Sequence, residues 1–323
     1  MKDNKLIIFF PSIEGGGVEK NFFIISNYLA KKYKNIHLIS SPKNKIPIHP
    51  KVKIIGVKNN FIFPNSRIIK IFISMLYLIK EIIFDRKVLV LSFQANLYAI
   101  LICKIFHTKI IIRSNSSPSG WTKSIIKKII FKWFLKYPKA IIVNSVDFKK
   151  EMKKKFNIES KCILNPLDKR NILKNSKKKI NKKIYKKKKS LKLICIGRLV
   201  DQKDHLTLLK AINLIHLKVN VELLIVGRGR NKSQIKDFIN QNKLDESIKL
   251  IDFMPNPYPY IKLSNALILS SKYEGLPNVL LEALTLGKPI ISSDCPTGPR
   301  EILSNGKGGL MFNVGDYKSL SKK

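Results

Sequence analysis

Short apolar runs alternate along the chain with segments in which apolar residues recur every three or four positions. In the first half, five runs have the length of buried strands: residues 6–10, 36–40, 88–92, 109–113 and 140–144. The second half repeats the pattern with five more: residues 191–196, 221–226, 247–251, 266–270 and 289–292. Strands that alternate with amphipathic helices form βαβ units. The pattern therefore predicts an α/β protein with parallel sheets.

The alternation is interrupted once, over residues 169–190. Twelve of these 22 residues are Lys or Arg and none is acidic, so we expect no core there. A chain of 323 residues is also longer than one hydrophobic core usually supports. We therefore predict two doubly wound, Rossmann-like domains, residues 1–168 and 191–323, joined by a basic linker. Such folds bind ligands at the carboxyl ends of their strands, which places the expected site in a cleft between the domains.

The net charge changes which ligands are expected. The chain has 62 Lys and Arg against 21 Asp and Glu, a net charge of +41. This excess favours phosphorylated substrates, nucleic acid or an anionic membrane surface, although a general compositional bias toward Lys would produce it too. No apolar run approaches the roughly 20 residues of a membrane span, and the N-terminus lacks a signal-peptide core. We therefore expect a cytoplasmic protein.

Glycines follow the first predicted strand. Gly16 and Gly17 stand where a helix is predicted to begin, and glycines at a helix N-terminus let backbone amides approach an anion. The loop contains neither the Gly-x-Gly-x-x-Gly of a dinucleotide-binding fingerprint nor the Lys-Ser/Thr of a P-loop. A plain tight turn is the alternative interpretation.

Two cations follow the first predicted strand of the second domain. Arg198 and Lys203 would both lie at the carboxyl end of that strand, where two converging cations suit a diphosphate. Ordinary surface charge is the alternative in so basic a chain. Their position, more than their charge, makes them candidates.

Two glutamates accompany a predicted helix in the second domain. Pro277 suits the first turn of this helix, and residues 279–286 are almost wholly apolar around Glu282. A buried carboxylate is costly without hydrogen-bond donors, and ligand hydroxyls would supply them. Glu274 stands just before the helix, whose first amides, near residues 276–279, could meet phosphate or sugar oxygens. For Glu274 alone, a solvated loop acid is the alternative.

Taken together, these motifs resemble the retaining glycosyltransferases of family 4, which have the GT-B architecture. The agreeing motifs, in chain order, are Gly16-Gly17-Val18-Glu19, Val143-Asn144-Ser145, Asn165-Pro166, Gly197-Arg198 with Lys203, and Glu274 with Glu282 in a Glu-x7-Glu spacing. The resemblance covers nearly the whole chain. It implies a GT-B fold, with two Rossmann-like, doubly wound α/β domains facing a central cleft.

The resemblance also implies roles for individual residues on the donor side. Arg198 and Lys203 would bind the donor diphosphate, and Glu282 would bind the donor ribose. Glu274 would contact the transferred sugar near its reacting centre. Backbone contacts to the donor sugar and phosphate would come from Gly275, Leu276, Pro277, Asn278 and Val279.

On the acceptor side, the resemblance implies that Gly16 and Gly17 border the acceptor or the diphosphate. Many family members carry a His after the fourth strand, whereas this chain has Gln94 and Asn96 there, which are candidates for the same polar contact. Family chains also usually continue past a strand like residues 309–312, so a truncated C-terminal domain is an open alternative. Nothing resembles an Asp-x-Asp metal site, and we expect neither a metal nor a cofactor.

The sequence thus predicts a metal-independent hexosyltransferase that acts with retention in cell-surface glycan or polysaccharide synthesis. We expect a nucleotide-sugar donor, UDP-linked, and a saccharide acceptor that is lipid-linked. We also expect peripheral contact with the anionic inner face of the plasma membrane, and no nucleic acid partner. The alternatives are an epimerase or a phosphorylase on the same scaffold, or a basic protein that binds nucleic acid or membranes.

Overall fold

A computed structural model describes residues 4–13, 16–42, 46–56, 66–118, 121, 124–180, 184–185 and 189–323. The chain forms two compact units, Met1–Pro166 and Leu167–Lys323. Each unit is built around one parallel sheet with helices between successive strands. The predicted α/β class and its parallel sheets are therefore confirmed.

The described residues of the first unit form seven strands and five α-helices. The strands are β1 (Leu6–Phe9), β2 (Ile36–Ile39), β3 (Val52–Ile55), β4 (Leu89–Ser92), β5 (Lys109–Arg113), β6 (Ala140–Val143) and β7 (Lys161–Cys162). The helices are α1 (Gly17–Leu29), α2 (Arg67–Phe84), α3 (Asn96–Ile105), α4 (Ile125–Leu135) and α5 (Val146–Phe156). The sheet order is β3-β2-β1-β4-β5-β6-β7, so the order reverses between β1 and β4.

Helices cover both faces of the first sheet, which is why its central strands are apolar throughout. Alternate residues of β1 enter different cores. Ile7 and Phe9 join the core formed with α2, α3, α4 and α5, whereas Leu6 and Ile8 join the core beneath α1. Strands β3 and β7 were not predicted. β3 is half-exposed and contains Lys53, and β7 has only two residues, so neither shows an apolar run.

In the second unit, the part of the chain that the structure describes forms six strands and seven α-helices. The strands are β8 (Leu191–Ile196), β9 (Val221–Val226), β10 (Ile248–Ile251), β11 (Ala266–Leu269), β12 (Ile290–Ser293) and β13 (Leu310–Phe312). The helices are α6 (Lys169–Asn175), α7 (His205–Ile215), α8 (Lys232–Gln241), α9 (Tyr258–Leu263), α10 (Asn278–Thr285), α11 (Pro299–Ile302) and α12 (Tyr317–Lys322). The sheet order is β10-β9-β8-β11-β12-β13, so the order reverses between β8 and β11.

The basic segment 169–190 contributes to the core of the second unit, contrary to the expectation from its charge. Ile172 of α6 is buried, and so are Ile184 and Tyr185, in the cluster that includes Ile194 of β8. The Tyr185 hydroxyl also donates to the carbonyl of Leu193, at 3.2 Å. These three apolar side chains are enough to anchor the segment in the core. A count of charged residues does not reveal them.

No helix within the described ranges is long and apolar enough to cross a lipid bilayer.

Candidate active site

Lys203 and Glu274 meet where the strand order of the second sheet reverses. Lys203 ends the short 3₁₀ turn Asp201–Lys203 after β8, and Glu274 lies in the loop between β11 and α10. Lys203 Nζ donates to Glu274 Oε1 at 2.5 Å, and Ser271 Oγ donates to the same oxygen at 2.6 Å. In open α/β sheets this reversal point is where ligands bind. The pair is therefore the centre of the candidate site.

Further hydrogen bonds tie the two loops together. Ser270 Oγ donates to the Lys203 carbonyl at 2.9 Å, and the Lys272 amide donates to the Gln202 carbonyl at 2.8 Å. Gln202 Nε2 in turn donates to the Tyr273 carbonyl at 2.8 Å. These contacts hold the backbone on both sides of the charged pair. The pair is thus positioned by its loops before any ligand arrives.

Thr297, in the loop after β12, holds the main chain of Glu274. Its hydroxyl donates to the Glu274 carbonyl at 2.6 Å, and the Glu274 amide donates to the Pro296 carbonyl at 3.3 Å. Thr297 has φ of 62°, in the left-handed region that β-branched residues rarely adopt. Such strain persists only where the surroundings impose it. Sequence reasoning missed Thr297, because nothing in the sequence signals this backbone conformation.

The predicted donor-contact segment packs closely against Gly298. Gly275, Leu276 and Pro277 are buried, and α10 begins at Asn278. A Cβ on Gly298 would lie 2.4 Å from the Gly275 carbonyl oxygen and 2.7 Å from Pro277 Cδ. Gly298 also has φ of 84°. Only glycine is compatible with both this close approach and this positive φ. The loop before α10 therefore packs directly against the loop before α11.

Asn278 and Val279 form the first turn of α10 and are half-buried. Glu282 follows on the same helix and is 4% exposed. Its Oε1 accepts a hydrogen bond from the Tyr258 hydroxyl at 3.4 Å. The sequence predicts ligand hydroxyls as the donors to this buried carboxylate. The structure shows that the protein supplies at least one of them.

Arg198, unlike the Lys203–Glu274 pair, is exposed. Its guanidinium donates to Gln202 Oε1 at 3.3 Å, which connects it to the same loop. The stem of Lys203 packs on Gly197, where a Cβ would lie 3.3 Å from Lys203 Cε. The two cations predicted from the sequence therefore have different surroundings: one is paired and largely buried, and the other is open to solvent.

His205 is the first residue of α7, two positions after Lys203 in the chain. Its side chain is 4% exposed, and neither ring nitrogen has a hydrogen-bond partner among the described atoms. Burial lowers the pKa of His205 to about 4, and the charge of Lys203 contributes in the same direction. The imidazole is therefore neutral near pH 7.

In the first unit, the predicted acceptor-side residues also lie where the strand order reverses. Gly16 caps the N-terminus of α1, and Gly17 is its first residue. Gln94 Oε1 accepts from the Ser12 amide at 3.0 Å, which joins the loop after β4 to the loop after β1. Asn96 accepts from Ser92 Oγ at 2.7 Å and donates to a carbonyl of β5. Gly15, beside this motif, lies outside the described residues.

Within the described part of the chain, no group of three or more His, Cys, Asp and Glu side chains is arranged to hold a metal ion.

Comparison with known proteins finds a family model that is similar to most of the second unit. Residues 176–323 match the family model of glycosyl transferases group 1. An uncharacterized glycosyltransferase of Methanocaldococcus jannaschii is 36% identical over 219 residues, which cover 63% of this chain and 53% of that protein. The chain thus spans about half the length of this relative.

Two further similarities extend over nearly the whole chain. The N-acetylgalactosamine-N,N'-diacetylbacillosaminyl-diphospho-undecaprenol 4-alpha-N-acetylgalactosaminyltransferase of Campylobacter jejuni is 27% identical over 332 residues, with 98% of this chain and 88% of that protein covered. The crystal structure of Anabaena HepE in complex with UDP and glucose aligns with a TM-score of 0.76 at 15% identity, with 99% of this chain and 88% of that chain covered. The predicted GT-B fold is thus confirmed. Beyond the fold, the chain is similar to the model of glycosyl transferases group 1 over residues 176–323, and to the two glycosyltransferase relatives at 36% and 27% identity.

Proposed function

We propose that the protein is a retaining, metal-independent hexosyltransferase that moves a sugar from a UDP-sugar to a lipid-linked saccharide in cell-surface glycan or polysaccharide synthesis. The observation that carries this proposal is the Lys203–Glu274 pair at the reversal point of the second sheet. The Campylobacter relative, whose name includes a diphospho-undecaprenol group and a 4-alpha transfer, supports the lipid-linked acceptor and the retained configuration. The HepE complex with UDP and glucose supports the UDP-linked donor.

The cations of the second unit would neutralise the donor diphosphate. Lys203 and Arg198 both follow β8, and they differ in what each can provide. Lys203 is held in place by the loops around it, whereas Arg198 is exposed and can turn toward a ligand. The N-terminus of α10, at Asn278 and Val279, adds backbone amides that favour negative charge. These groups would stabilise the charge that develops on the leaving diphosphate.

The two glutamates would bind the uncharged parts of the donor. Glu282 would accept hydrogen bonds from the ribose hydroxyls, beside the Tyr258 hydroxyl that already contacts it. Glu274 would accept from a hydroxyl of the transferred sugar. Without donor, Lys203 compensates the charge of Glu274, and a buried carboxylate needs such a partner. When donor binds, the diphosphate competes for Lys203 and the sugar hydroxyl replaces part of this contact.

The transfer step would proceed on one face of the sugar. The bond between the anomeric carbon and the diphosphate oxygen breaks, and the electron pair leaves with the diphosphate. The acceptor hydroxyl oxygen attacks the anomeric carbon from the same face, and its proton passes to the departing phosphate oxygen. The configuration is therefore retained. Gly16 and Gly17 would border the acceptor or the diphosphate, and Gln94 would hold the adjoining loop through Ser12.

A lipid-linked acceptor would place the protein at the inner face of the plasma membrane as a peripheral protein. The net charge of +41 would then favour contact with the anionic lipid surface. We expect no nucleic acid partner.

Release of UDP from UDP-sugars, measured with and without saccharide acceptors, tests the proposal. The wild-type chain should release UDP at an acceptor-dependent rate that persists in excess chelator. Lys203→Met and Glu274→Gln should each lower that rate at least about tenfold. Lys236→Met, which removes an exposed lysine of α8, is the matched control and should leave the rate unchanged. Conversion of the UDP-sugar to its epimer, or sugar phosphate formation, would instead support the alternative enzymes.

A further inference from the structure

Three neighbouring helices of the first unit expose large apolar side chains. α2, α3 and α4 bury their inner sides in one core, and α3 packs between α2 and α4. Their outer sides carry the residues that we call the outer apolar face: Ile68, Phe72, Ile105, Ile125, Ile129 and Trp133. Ile68 is 78% exposed, Ile125 is 74% exposed and Trp133 is 56% exposed. Several exposed apolar residues of this size on neighbouring helices are typical of a binding surface.

The spacing of these residues shows that α2 has two apolar sides. On α2, Ile68 and Phe72 are four residues apart and exposed, whereas Leu78 and Ile82 are four residues apart and buried. α2 therefore presents apolar side chains both to the core and to the outside. Burial within the unit explains only the inner set, so the outer set requires a different explanation.

The charges on these helices identify what covers the outer apolar face. α4 contains Lys127, Lys128 and Lys132 and no acidic residue. On α2 the acidic residue Glu81 is turned inward, where Lys5 Nζ lies 2.6 Å from its carboxylate. Apolar side chains among uncompensated cations suit an anionic lipid surface. A second copy of the same face would bring lysines against lysines, which is unfavourable.

Trp133 and Lys104 join α3 to α4 at this face. Lys104 Nζ lies 3.2 Å from the centre of the Trp133 ring. Trp side chains favour the interface between lipid and water, where the ring is in apolar surroundings and one edge is wet. A lysine beside that ring would meet the lipid phosphates. The arrangement provides both kinds of contact that an anionic bilayer offers.

Helix α5, which packs beside α4, marks where this face ends. It contains five lysines, at residues 149, 150, 153, 154 and 155, but its one exposed large apolar residue is Val146. Its five lysines less Asp147 and Glu151 give it a net charge of +3, equal to that of α4 with its three lysines, but it lacks the exposed apolar side chains of α4. α5 provides a matched comparison for separating apolar insertion from charge attraction alone.

We propose that α2, α3 and α4 dock on an anionic lipid bilayer, with the outer apolar face entering the headgroup region. This proposal rests on the proposed function in one respect: a lipid-linked acceptor would be reached from this surface. The docking itself requires no sugar transfer, so the two can fail separately.

Tryptophan fluorescence tests insertion directly. The full chain has two tryptophans, so Trp121→Phe leaves Trp133 as the reporter. With vesicles of phosphatidylcholine and phosphatidylglycerol in equal parts, Trp133 emission should shift to the blue and be quenched by brominated lipid. If the protein sediments with these vesicles while Trp133 emission is unchanged, the chain binds lipid elsewhere, for example through residues 169–190, and the proposal is wrong.

A pair of variants separates apolar contact from charge. Phe72→Ser with Ile129→Ser should weaken partition into the same vesicles about tenfold or more, because two side chains no longer leave water. Lys149→Gln with Lys153→Gln on α5 should weaken it less. Equal effects of the two double variants would overturn the proposal. So would a lipid-independent dimer, seen by light scattering, that Phe72→Ser with Ile129→Ser abolishes.

A last comparison keeps docking distinct from the transferase activity. Transfer to a water-soluble saccharide acceptor should be unchanged in Phe72→Ser with Ile129→Ser, since neither residue belongs to the candidate site. If no acceptor-dependent UDP release is found but Trp133 inserts, the proposed function fails and docking stands. If transfer occurs and Trp133 does not insert on anionic vesicles, docking fails and the proposed function stands.

Discussion

Lys203 and Glu274 are 71 positions apart in the chain, yet their charged groups lie 2.5 Å apart between two loops of the second unit. Both side chains are largely buried, at 15% and 9% exposed. Ser271 adds a second donor to the same carboxylate oxygen. Because both loops follow neighbouring strands, the sheet itself brings the pair together.

We expect the two charges to depend on each other for stability. Lys203→Met leaves the Glu274 carboxylate buried without its cation and should lower the free energy of unfolding by about 3 kcal/mol. Adding Glu274→Gln to Lys203→Met should restore much of this loss, since no uncompensated charge remains. Urea denaturation of the two single variants and the double variant measures the coupling. Additive losses would mean that the pair contributes no mutual stabilisation.

The strand-end position of this pair could be predicted from the sequence, but its geometry could not. Two apolar runs predict β8 and β11, and Lys203 and Glu274 lie in the segments that follow these strands. Lys203 donates a hydrogen bond to Glu274, whereas Arg198 is exposed. This difference depends on side-chain directions, which the spacing of residues along the sequence does not encode. The same limit applies to Thr297, whose backbone conformation is imposed by contacts from another loop.

Thr297 should affect turnover through Glu274. Thr297→Ser keeps the hydroxyl that donates to the Glu274 carbonyl and should retain near wild-type kcat. Thr297→Ala removes the hydroxyl and keeps the backbone strain, so kcat should fall about tenfold while donor KM changes little. Thr297→Gly relieves strain of about 1 kcal/mol and should be more stable than Thr297→Ala. Equal kcat for the Ser and Ala variants would exclude a positioning role for the hydroxyl.

Gly298 and Gly306 provide a controlled test of close packing. Both have positive φ, at 84° and 94°, but a Cβ on Gly306 would meet nothing within 4 Å. Gly306→Ala should therefore show the conformational cost alone, about 1 kcal/mol. Gly298→Ala adds a clash with the Gly275 carbonyl and should cost roughly 3 kcal/mol, with weaker binding of UDP. Similar melting temperatures for the two variants would contradict this packing.

The buried imidazole of His205 should cause the free energy of unfolding to decrease in acid. Its folded pKa of about 4 lies below the ordinary value of 6.5, so between these values the unfolded chain binds a proton that the folded chain does not. The stability contribution is therefore complete above about pH 6.5 and decreases as pH falls toward 4. Between about pH 7 and pH 5 the loss should be about 2 kcal/mol.

The variant His205→Leu isolates this contribution. Its unfolding free energy should depend less on pH over the same range than that of the wild type, with His216→Gln as the control for removal of a histidine. Denaturation in urea at several pH values measures the difference. Parallel curves for wild type and His205→Leu would show that the buried imidazole is not responsible.

Direct binding of UDP, measured by titration calorimetry in excess chelator, tests the central claim that the second unit binds a nucleoside diphosphate through Lys203 without a metal. Wild type and Lys236→Met should bind UDP with the same affinity. Lys203→Met should bind about tenfold or more weakly, because a charge-assisted contact to phosphate is lost. Equal affinity in wild type and Lys203→Met, or binding that appears only when magnesium or manganese replaces the chelator, would contradict the account.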